Sequence, residues 1–182
     1  MDVIIIGDGP GGLSAALFLA KNGMQVVVIG QDKTAMHWAQ LKNYLGVPDI
    51  HGSEFQKIGR GQVTSFGGTI REAHVETVAR AGAEYVVTLE GGEELRAAEL
   101  ILSEGKAPKL AKQLGLVFDE ANGIETDRNA RTREGVYVVG RSARPGRSQA
   151  IISAGDGAAA AIDILSRRKG ENVVDWDQPP KS

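Results

Sequence analysis

The sequence predicts a single α/β domain in which helices pack on a parallel sheet and a small antiparallel β-meander is added. First, an apolar run at residues 3–6, a helical period over 11–22 and a second apolar run at 25–29 make a βαβ unit. Second, four short strand candidates over residues 69–97 are separated by glycines, which is typical of an antiparallel meander. Third, 182 residues, 42% of them hydrophobic, suffice for one domain with a core.

The remaining elements follow from periodicity and from turn residues. Residues 32–51 have no clear period and predict a long loop with one helical turn, after which Ser53 and Gln56 form a capping-box pair that opens a helix toward Phe66. Further core strands are expected at 100–102 and 136–139, a short helix at 109–114 and a long helix at 149–168. We therefore expect one domain over residues 1–174 and a mobile tail over residues 175–182.

Composition and charge argue against several classes of protein. The chain has no cysteine, so it can form no disulfide, zinc–thiolate site or redox dithiol. A formal net charge of −2 argues against a nucleic-acid partner held by broad phosphate neutralisation. No apolar run approaches the roughly 20 residues that a membrane span needs, and no metal-ligating cluster is apparent. Because no basic flank precedes an apolar stretch at the start, the sequence shows no signal peptide and predicts a cytoplasmic location and no membrane partner.

A glycine motif joins the first strand to the first helix. Gly7, Gly9 and Gly12 form G-x-G-x-x-G, with Pro10 and Gly11 inside it. In a Rossmann-like domain the first glycine allows a tight turn, the second lets the backbone approach a pyrophosphate, and the third lets the helix pack on the strand. The alternative is a plain glycine turn, but the strand before the motif and the strand after the helix favour a site for the ADP half of a dinucleotide.

The acid that binds the adenosine ribose in such sites is displaced in this sequence. It usually ends the second strand. Here that strand ends at Gly30, followed by Gln31 and Asp32. Either Asp32 or Gln31 is expected to reach the ribose, and the alternative for Asp32 is a solvated loop aspartate.

Four segments together resemble the low-molecular-weight thioredoxin reductases. These are residues 3–12 (VIIIGDGPGG), 43–46 (NYLG), 135–140 (GVYVVG) and 148–157 (SQAIISAGDG). The resemblance is spread over nearly the whole chain. It implies a Rossmann-like FAD-binding domain, a homodimer and FAD as the cofactor. The last segment separates FAD from NAD, since a nicotinamide-binding Rossmann domain does not need it.

The resemblance also implies which residues contact the cofactor. Asn43 belongs to the stretch beside the flavin ring, and His74 and Val75 match the position where backbone groups meet the adenine. The start of the final helix, at the pyrimidine edge of the ring, supplies Gln149, Ala150 and Ile151.

The sequence departs from the family in three places. A nicotinamide-binding domain with a second glycine motif and the redox cysteines normally interrupts the flavin domain, but only about 30 residues separate Gly105 from Gly135 here. The family's Ala-Thr-Gly turn, a flavin contact, reads Ser103-Glu104-Gly105, and these residues are expected to contact the cofactor in its place. Its Gly-Asp pair reads Gly140-Arg141.

The arginine at position 141 has two interpretations. A guanidinium can pair with a phosphate through two hydrogen bonds, which suits a dinucleotide site. Alternatively, Arg141, Arg144 and Arg147 form a solvated basic loop.

Three functional hypotheses remain open from the sequence. The first is an FAD flavoprotein oxidoreductase or electron-transfer component that works with a separate, unidentified electron donor or acceptor. Without cysteine it is not a thioredoxin reductase by itself. The second is a non-catalytic FAD-holding scaffold or regulatory subunit, and the third is a domain that binds NAD or another ADP-containing ligand.

Overall fold

A computed structural model describes residues 1–179 of the chain and contains a five-stranded sheet with helices on its faces. In chain order the main elements are β1 (Val3–Ile6), α1 (Pro10–Lys21), β2 (Val26–Gly30), β3 (Gln40–Leu41), β4 (Ile50–His51), α2 (Gly52–Ser65), β5 (Thr69–Glu72), β6 (Val75–Ala81), β7 (Glu84–Leu89), β8 (Glu94–Ala97), β9 (Glu99–Leu102), α3 (Lys109–Gln113), β10 (Phe118–Asp119), β11 (Gly123–Ile124), β12 (Tyr137–Val138) and α4 (Ala150–Lys169). Two 3₁₀ turns, Ala35–Trp38 and Gly140–Ser142, complete them.

The sheet is parallel and has the strand order β12-β9-β1-β2-β5. Its centre is β1, where Ile5 lies opposite Val28 on one side and Ile101 on the other. All four residues of β1 are buried, as expected for a parallel strand covered on both faces. The predicted α/β fold with a Rossmann-like parallel sheet is thus confirmed.

One face of the sheet is covered by α1 and α4, and α2 packs beside α1. Small residues allow α1 and α4 to approach closely, since a Cβ added to Gly157 would lie 2.0 Å from the carbonyl oxygen of Gly11. The core on this face contains Leu19 from α1 and Ile164 from α4, both fully buried against Val3 and Ile5 of the central strand.

The other face carries the three-stranded antiparallel meander β6-β7-β8 and the short helix α3. Val87 and Leu95 of the meander pack with Ile4 and Leu100 of the parallel sheet, and Leu110 of α3 joins this second core. Alternate residues of each central strand therefore point into two different cores.

The strand over residues 69–72 is not part of the meander, which corrects the expectation from the sequence. It pairs in parallel with β2, placing Ile70 opposite Val28, and forms an edge of the main sheet. The residue pattern indicated a strand but contained no information on its partner.

The capping-box prediction for α2 is also wrong. The helix begins at Gly52, and its cap is His51, whose ring nitrogen Nδ1 accepts a hydrogen bond from the backbone N–H of Ser53. Gln56 instead lies buried, and its amide donates to the carbonyl oxygen of Asp8 at 2.6 Å. The side chain of Gln56 therefore forms a tertiary hydrogen bond and does not cap its own helix.

The loop over residues 32–51 has the predicted helical turn and, in addition, the two-residue pair β3-β4. Within residues 1–179, no helix is long and apolar enough to cross a lipid bilayer. In the predicted tail, Asp175 and Asp177 both pair with Lys21 of α1, and residues 180–182 lie outside the described part of the chain.

A buried polar group ties α4 to the edge strand β12. The hydroxyl of Tyr137 donates to a carboxylate oxygen of Asp163 at 2.5 Å, and Arg167 donates to the same hydroxyl at 3.1 Å. Burial, assisted by the Asp163 hydrogen bond, raises the pKa of Tyr137 far above its ordinary value.

Candidate cofactor-binding site

A cavity of about 960 Å³ lies at the carboxyl ends of β1, β2 and β9. The chain leaves β1 toward β2 and β5 on one side of the sheet and returns to β9 on the other. The cavity therefore lies at a topological switch point, where open α/β sheets bind their ligands. Its volume is at the upper end of the roughly 300–1,000 Å³ typical of small-molecule sites.

The glycine loop forms the floor of this cavity. Gly7 has a φ of +104°, and a Cβ there would lie 2.2 Å from the carbonyl oxygen of Ser103 on the neighbouring strand end. A Cβ at Gly12 would lie 2.0 Å from the carbonyl oxygen of Gly7, so the start of α1 packs directly on the turn. These two glycines are required by the fold itself.

Gly9 differs from the other two glycines because the protein leaves its side free. The nearest atom to an added Cβ is the hydroxyl oxygen of Ser103, 4.0 Å away. Gly9 and its neighbours Pro10 and Gly11 line the cavity. The open space beside Gly9 fits a ligand group that approaches the backbone closely, as the pyrophosphate of a dinucleotide does.

The N-terminus of α1 faces the same space. Its cap residue, Gly9, provides no side-chain hydrogen bond, Pro10 occupies the first helical position, and the first turn contains no acid. The free N–H groups and the positive end of the helix dipole therefore remain available to an anion.

The three arginines after β12 have separate environments. The Nε atom of Arg144 donates to both carboxylate oxygens of Asp156, at 2.9 and 3.0 Å, and the Asp156 carboxylate is largely buried. Arg141 lines the cavity and forms no ion pair within residues 1–179, whereas Arg147 is not among the lining residues. The three arginines therefore do not form one solvated cluster, and Arg141 is the one whose side chain lines the cavity.

Of the two predicted ribose partners, Gln31 lines the cavity and Asp32 does not. Gln31 is exposed and lines the cavity. Asp32 has a left-handed φ of +53°, and its carboxylate lies 3.1 Å from Nε2 of His37. This contact turns Asp32 toward the loop that follows β2.

A buried carboxylate missed by the sequence analysis lies next to these residues. Asp8 is 3% exposed, lines the cavity and contacts Arg60 of α2, which also pairs with Glu72 at 3.0 Å. The sequence could have indicated this carboxylate, because Asp8 lies between two glycines of the motif and Gly30, at the end of the second strand, has no side chain.

The flavin-side candidates form two groups. Ala150 lines the cavity, whereas Asn43, Gln149 and Ile151 lie outside its lining. The amide of Asn43 donates to the side-chain oxygen of Gln149 at 3.2 Å, which brings the loop after β3 to the start of α4. The next residue after Asn43, Tyr44, packs against Phe55 with ring centroids 4.9 Å apart.

The turn after β9 has a structural role. Both carboxylate oxygens of Glu104 accept backbone N–H groups at the start of α3, from Leu110 at 2.7 Å and Ala111 at 2.9 Å. Burial nevertheless raises the pKa of Glu104. The hydroxyl of Ser142, in the 3₁₀ turn after β12, donates a hydrogen bond to the carbonyl oxygen of Gly105 at 2.8 Å. Glu104, which stands where the family has threonine, therefore caps the N-terminus of the short helix α3.

The remaining predicted residues surround the cavity. His74 and Val75 line it from the start of the meander, and Gly30 and Gly140 line it from the ends of β2 and β12. The structure thus brings most of the predicted residues to one cavity, and their contacts with a cofactor stay predictions.

Comparison with known proteins supports the same family. The family model described as pyridine nucleotide-disulphide oxidoreductase matches residues 1–70 and 48–158. A thioredoxin reductase from Streptomyces coelicolor is 29% identical over 171 residues, which cover 91% of this chain and 50% of that protein. The chain spans between about a third and a half of the length of the curated thioredoxin reductases that it matches.

Solved structures share the fold at low sequence identity. The atypical thioredoxin reductase of Desulfovibrio vulgaris Hildenborough superposes with a TM-score of 0.83 at 18% identity, covering 93% of this chain and 98% of that one. A ferredoxin-flavin thioredoxin reductase from Clostridium acetobutylicum gives a TM-score of 0.80 at 17% identity, covering 93% and 97%. The resemblance inferred from the sequence is confirmed.

Proposed function

Because this chain belongs to the pyridine nucleotide-disulphide oxidoreductase family, in its thioredoxin reductase-like branch, we propose that it is an oxidoreductase or electron-transfer component that works with a separate partner. FAD, the cofactor predicted from the sequence, is the cofactor of this family. This finding favours FAD over the alternative of a domain that binds only NAD. One observation carries the proposal: the glycine loop and the segment after β12 line the same cavity.

The residues present fit the two ends of this cofactor. Gly9, the N-terminus of α1 and Arg141 would hold the pyrophosphate, with the open space beside Gly9 admitting it. Ala150, at the start of α4, would lie toward the flavin end. When bound, FAD supplies the redox chemistry, and the protein contributes binding and orientation.

Two features support a separate partner for electron exchange. No cysteine is present, so this polypeptide cannot provide the dithiol on which a thioredoxin reductase acts. In place of a second nucleotide-binding unit, the connector between β9 and β12 contains only the short helix α3 and the hairpin β10-β11, whose strands have two residues each. Hydride transfer requires a nicotinamide held in contact with the flavin, and no such unit occurs in this connector.

A small electron-carrier protein is the donor that we favour. The neighbour from Clostridium acetobutylicum is described as a ferredoxin-flavin thioredoxin reductase, so this fold accommodates a protein donor. Lys106 and Lys109 lie at the rim of the cavity and form no ion pair within residues 1–179. Their positive charges make this rim attractive to an acidic carrier.

Stopped-flow mixing of the FAD-loaded protein with different donors tests the proposal through the visible flavin band. We expect slow bleaching by NADPH or NADH, rapid bleaching by reduced ferredoxin, and rapid bleaching by dithionite, a small reductant that needs no docking site. Rapid stoichiometric bleaching by NADPH alone would contradict the need for a separate donor. Bound FAD that exchanges electrons with no carrier would instead indicate an FAD-holding scaffold or regulatory subunit.

Two further expectations from the sequence stay predictions. A cytoplasmic location is one. Homodimerisation is the other, and sedimentation of the FAD-loaded protein measures it directly.

A further inference from the structure

The end of β2 lacks the side chain that normally meets the ribose in a dinucleotide site. Position 30 is glycine, and a Cβ built there would lie 2.3 Å from Cγ and 2.5 Å from Oδ1 of Asp8. A side chain at position 30 and the carboxylate of Asp8 therefore compete for the same volume. The carboxylate of Asp8 occupies the place from which the acid at the strand end would extend.

The protein holds this carboxylate through one of its two oxygens. Oδ2 accepts the backbone N–H of Asp32 at 3.1 Å and a hydrogen bond from Nη1 of Arg60. The second nitrogen of Arg60 donates to Glu72 at 3.0 Å, which fixes the guanidinium between the two acids. Within residues 1–179, Oδ1 of Asp8 accepts no hydrogen bond, and Asp8 lines the cavity.

The charge of this group suits a ligand with free hydroxyls. Asp8, Arg60 and Glu72 together have a formal charge of −1, because two carboxylates share one guanidinium. A carboxylate oxygen is an acceptor only, so its natural partner is a hydroxyl donor. A phosphate on the same ribose would be repelled.

The competing acid, Asp32, is already engaged. Its Oδ1 lies 3.1 Å from Nε2 of His37, and its backbone N–H donates a hydrogen bond to Oδ2 of Asp8. Gln31 carries no charge, and its side chain is exposed.

We propose that Asp8 is the residue that accepts hydrogen bonds from the adenosine ribose hydroxyls of the cofactor, with Arg60 as a positioning residue. The carboxylate has moved from the end of β2 to the middle of the glycine motif, and Gly30 provides the room for it. This inference rests on the proposed binding of FAD. It also assigns a selectivity: adenine nucleotides with an unmodified ribose bind, and those with a 2′-phosphate are excluded.

Calorimetric titration of the FAD-free protein with ADP, 2′-deoxy-ADP and 3′-deoxy-ADP tests the assignment. A hydrogen bond to a charged group corresponds to roughly a 10- to 150-fold change in affinity. We expect wild-type protein to bind at least one deoxy analogue about tenfold or more weakly than ADP. In Asp8→Asn, which keeps the shape but loses the charge, we expect this discrimination to fall by several-fold, whereas Asp32→Asn should keep it.

An exchange of positions separates a ribose contact from a structural role. Gly30→Glu alone should lose ADP binding, because the new side chain meets Asp8. Asp8→Gly should bind ADP and its deoxy analogues alike. The double variant Asp8→Gly/Gly30→Glu should recover the discrimination, because neither the carboxylate nor the Cβ of residue 8, which would lie 2.6 Å from a Cβ at position 30, remains in the way. A merely structural role for Asp8 predicts no recovery.

The outcomes distinguish this inference from the proposed function. Wild-type protein that binds FAD but takes ADP and both deoxy analogues equally overturns the assignment of Asp8 and leaves FAD binding intact. Undiminished discrimination in Asp8→Asn and Asp8→Gly overturns it as well. Wild-type protein that binds neither FAD nor ADP overturns both.

Discussion

Substituting Gly9 by alanine should weaken cofactor binding while leaving the apoprotein nearly as stable as before. The residue has a φ of −71° and a ψ of 178°, which alanine adopts without strain, and an added Cβ lies 4.0 Å from its nearest neighbour. Alanine is a poorer helix cap than glycine by about 0.5–1 kcal/mol. It also restricts the unfolded chain, which offsets about 0.4–1 kcal/mol of that loss.

The bound state should respond differently, because the new methyl group enters the space proposed for the pyrophosphate. Inserting one methyl group into a packed contact destabilises it by about 1–3 kcal/mol, which corresponds to roughly a 5- to 150-fold loss in affinity. Gly9→Val should be more severe. Gly12→Ala is the matched control for the fold, since its Cβ would lie 2.0 Å from the backbone oxygen of Gly7. We expect it to destabilise the apoprotein by about 3 kcal/mol or more.

Two measurements separate these effects. Far-UV circular dichroism of the FAD-free proteins should show a melting temperature within about 4 °C of wild type for Gly9→Ala and a decrease of at least about 6 °C for Gly12→Ala. Titration with FAD then gives the affinity of each folded variant. Wild-type affinity in Gly9→Ala would refute the position assigned to the pyrophosphate, and wild-type stability in Gly12→Ala would refute the tight contact between helix and turn.

Three further changes test individual side chains. Arg141→Ala should weaken FAD by about 1.5–3 kcal/mol in an FAD titration, and Arg147→Ala, its control from the same loop, should have little effect; equal losses would favour a general basic field. Arg144→Ala should lower the melting temperature of the apoprotein by several degrees, because Asp156 loses both hydrogen bonds at a cost of about 1–3 kcal/mol, and an unchanged value would contradict this contribution. Burial raises the pKa of Tyr137, so above pH 10 only the unfolded state releases this proton. The free energy of unfolding should then fall by about 1.4 kcal/mol in total between pH 9 and 11, most of it above pH 10, as measured by urea unfolding, and the same fall in Tyr137→Phe would exclude this tyrosine as its source.

Local patterns predicted the parts of the site that depend on neighbouring residues in the chain. The glycine loop, α1 and the start of α4 were all expected, because their signals lie within a few residues of each other. Strand β5 was recognised as a strand but assigned to the wrong sheet, since Thr69–Glu72 gives no indication of its partner.

The predictions that failed or were missing concern side chains used over long distances. Gln56 was expected to cap its own helix and instead bonds to Asp8, 48 positions earlier. The pairing of Asp8 with Arg60 spans 52 positions. Glu104 was expected to contact the cofactor as part of an altered flavin-contact turn, and its cap on α3, which the sequence did not predict, depends on how the connector folds back. Such contacts exist only once the strand ends have come together.

The direct pairing of β9 with β12 allows the chain between them to change without disturbing the sheet. Tyr137 lies opposite Ile101 and Val138 opposite Leu102, so the pairing of β9 with β12 itself uses no connector residue. Only the last part of the connector meets this edge, where the carbonyl oxygen of Ala130 accepts the backbone N–H of Val138 at 2.9 Å. Lys106 and Ala107 are exposed near the start of the connector. Because the entropy of loop closure grows only with the logarithm of loop length, an electron carrier inserted there should be tolerated. Tethered beside the cavity, it would act at an effective concentration on the order of millimolar, and a weak encounter between two proteins would become a step within one chain.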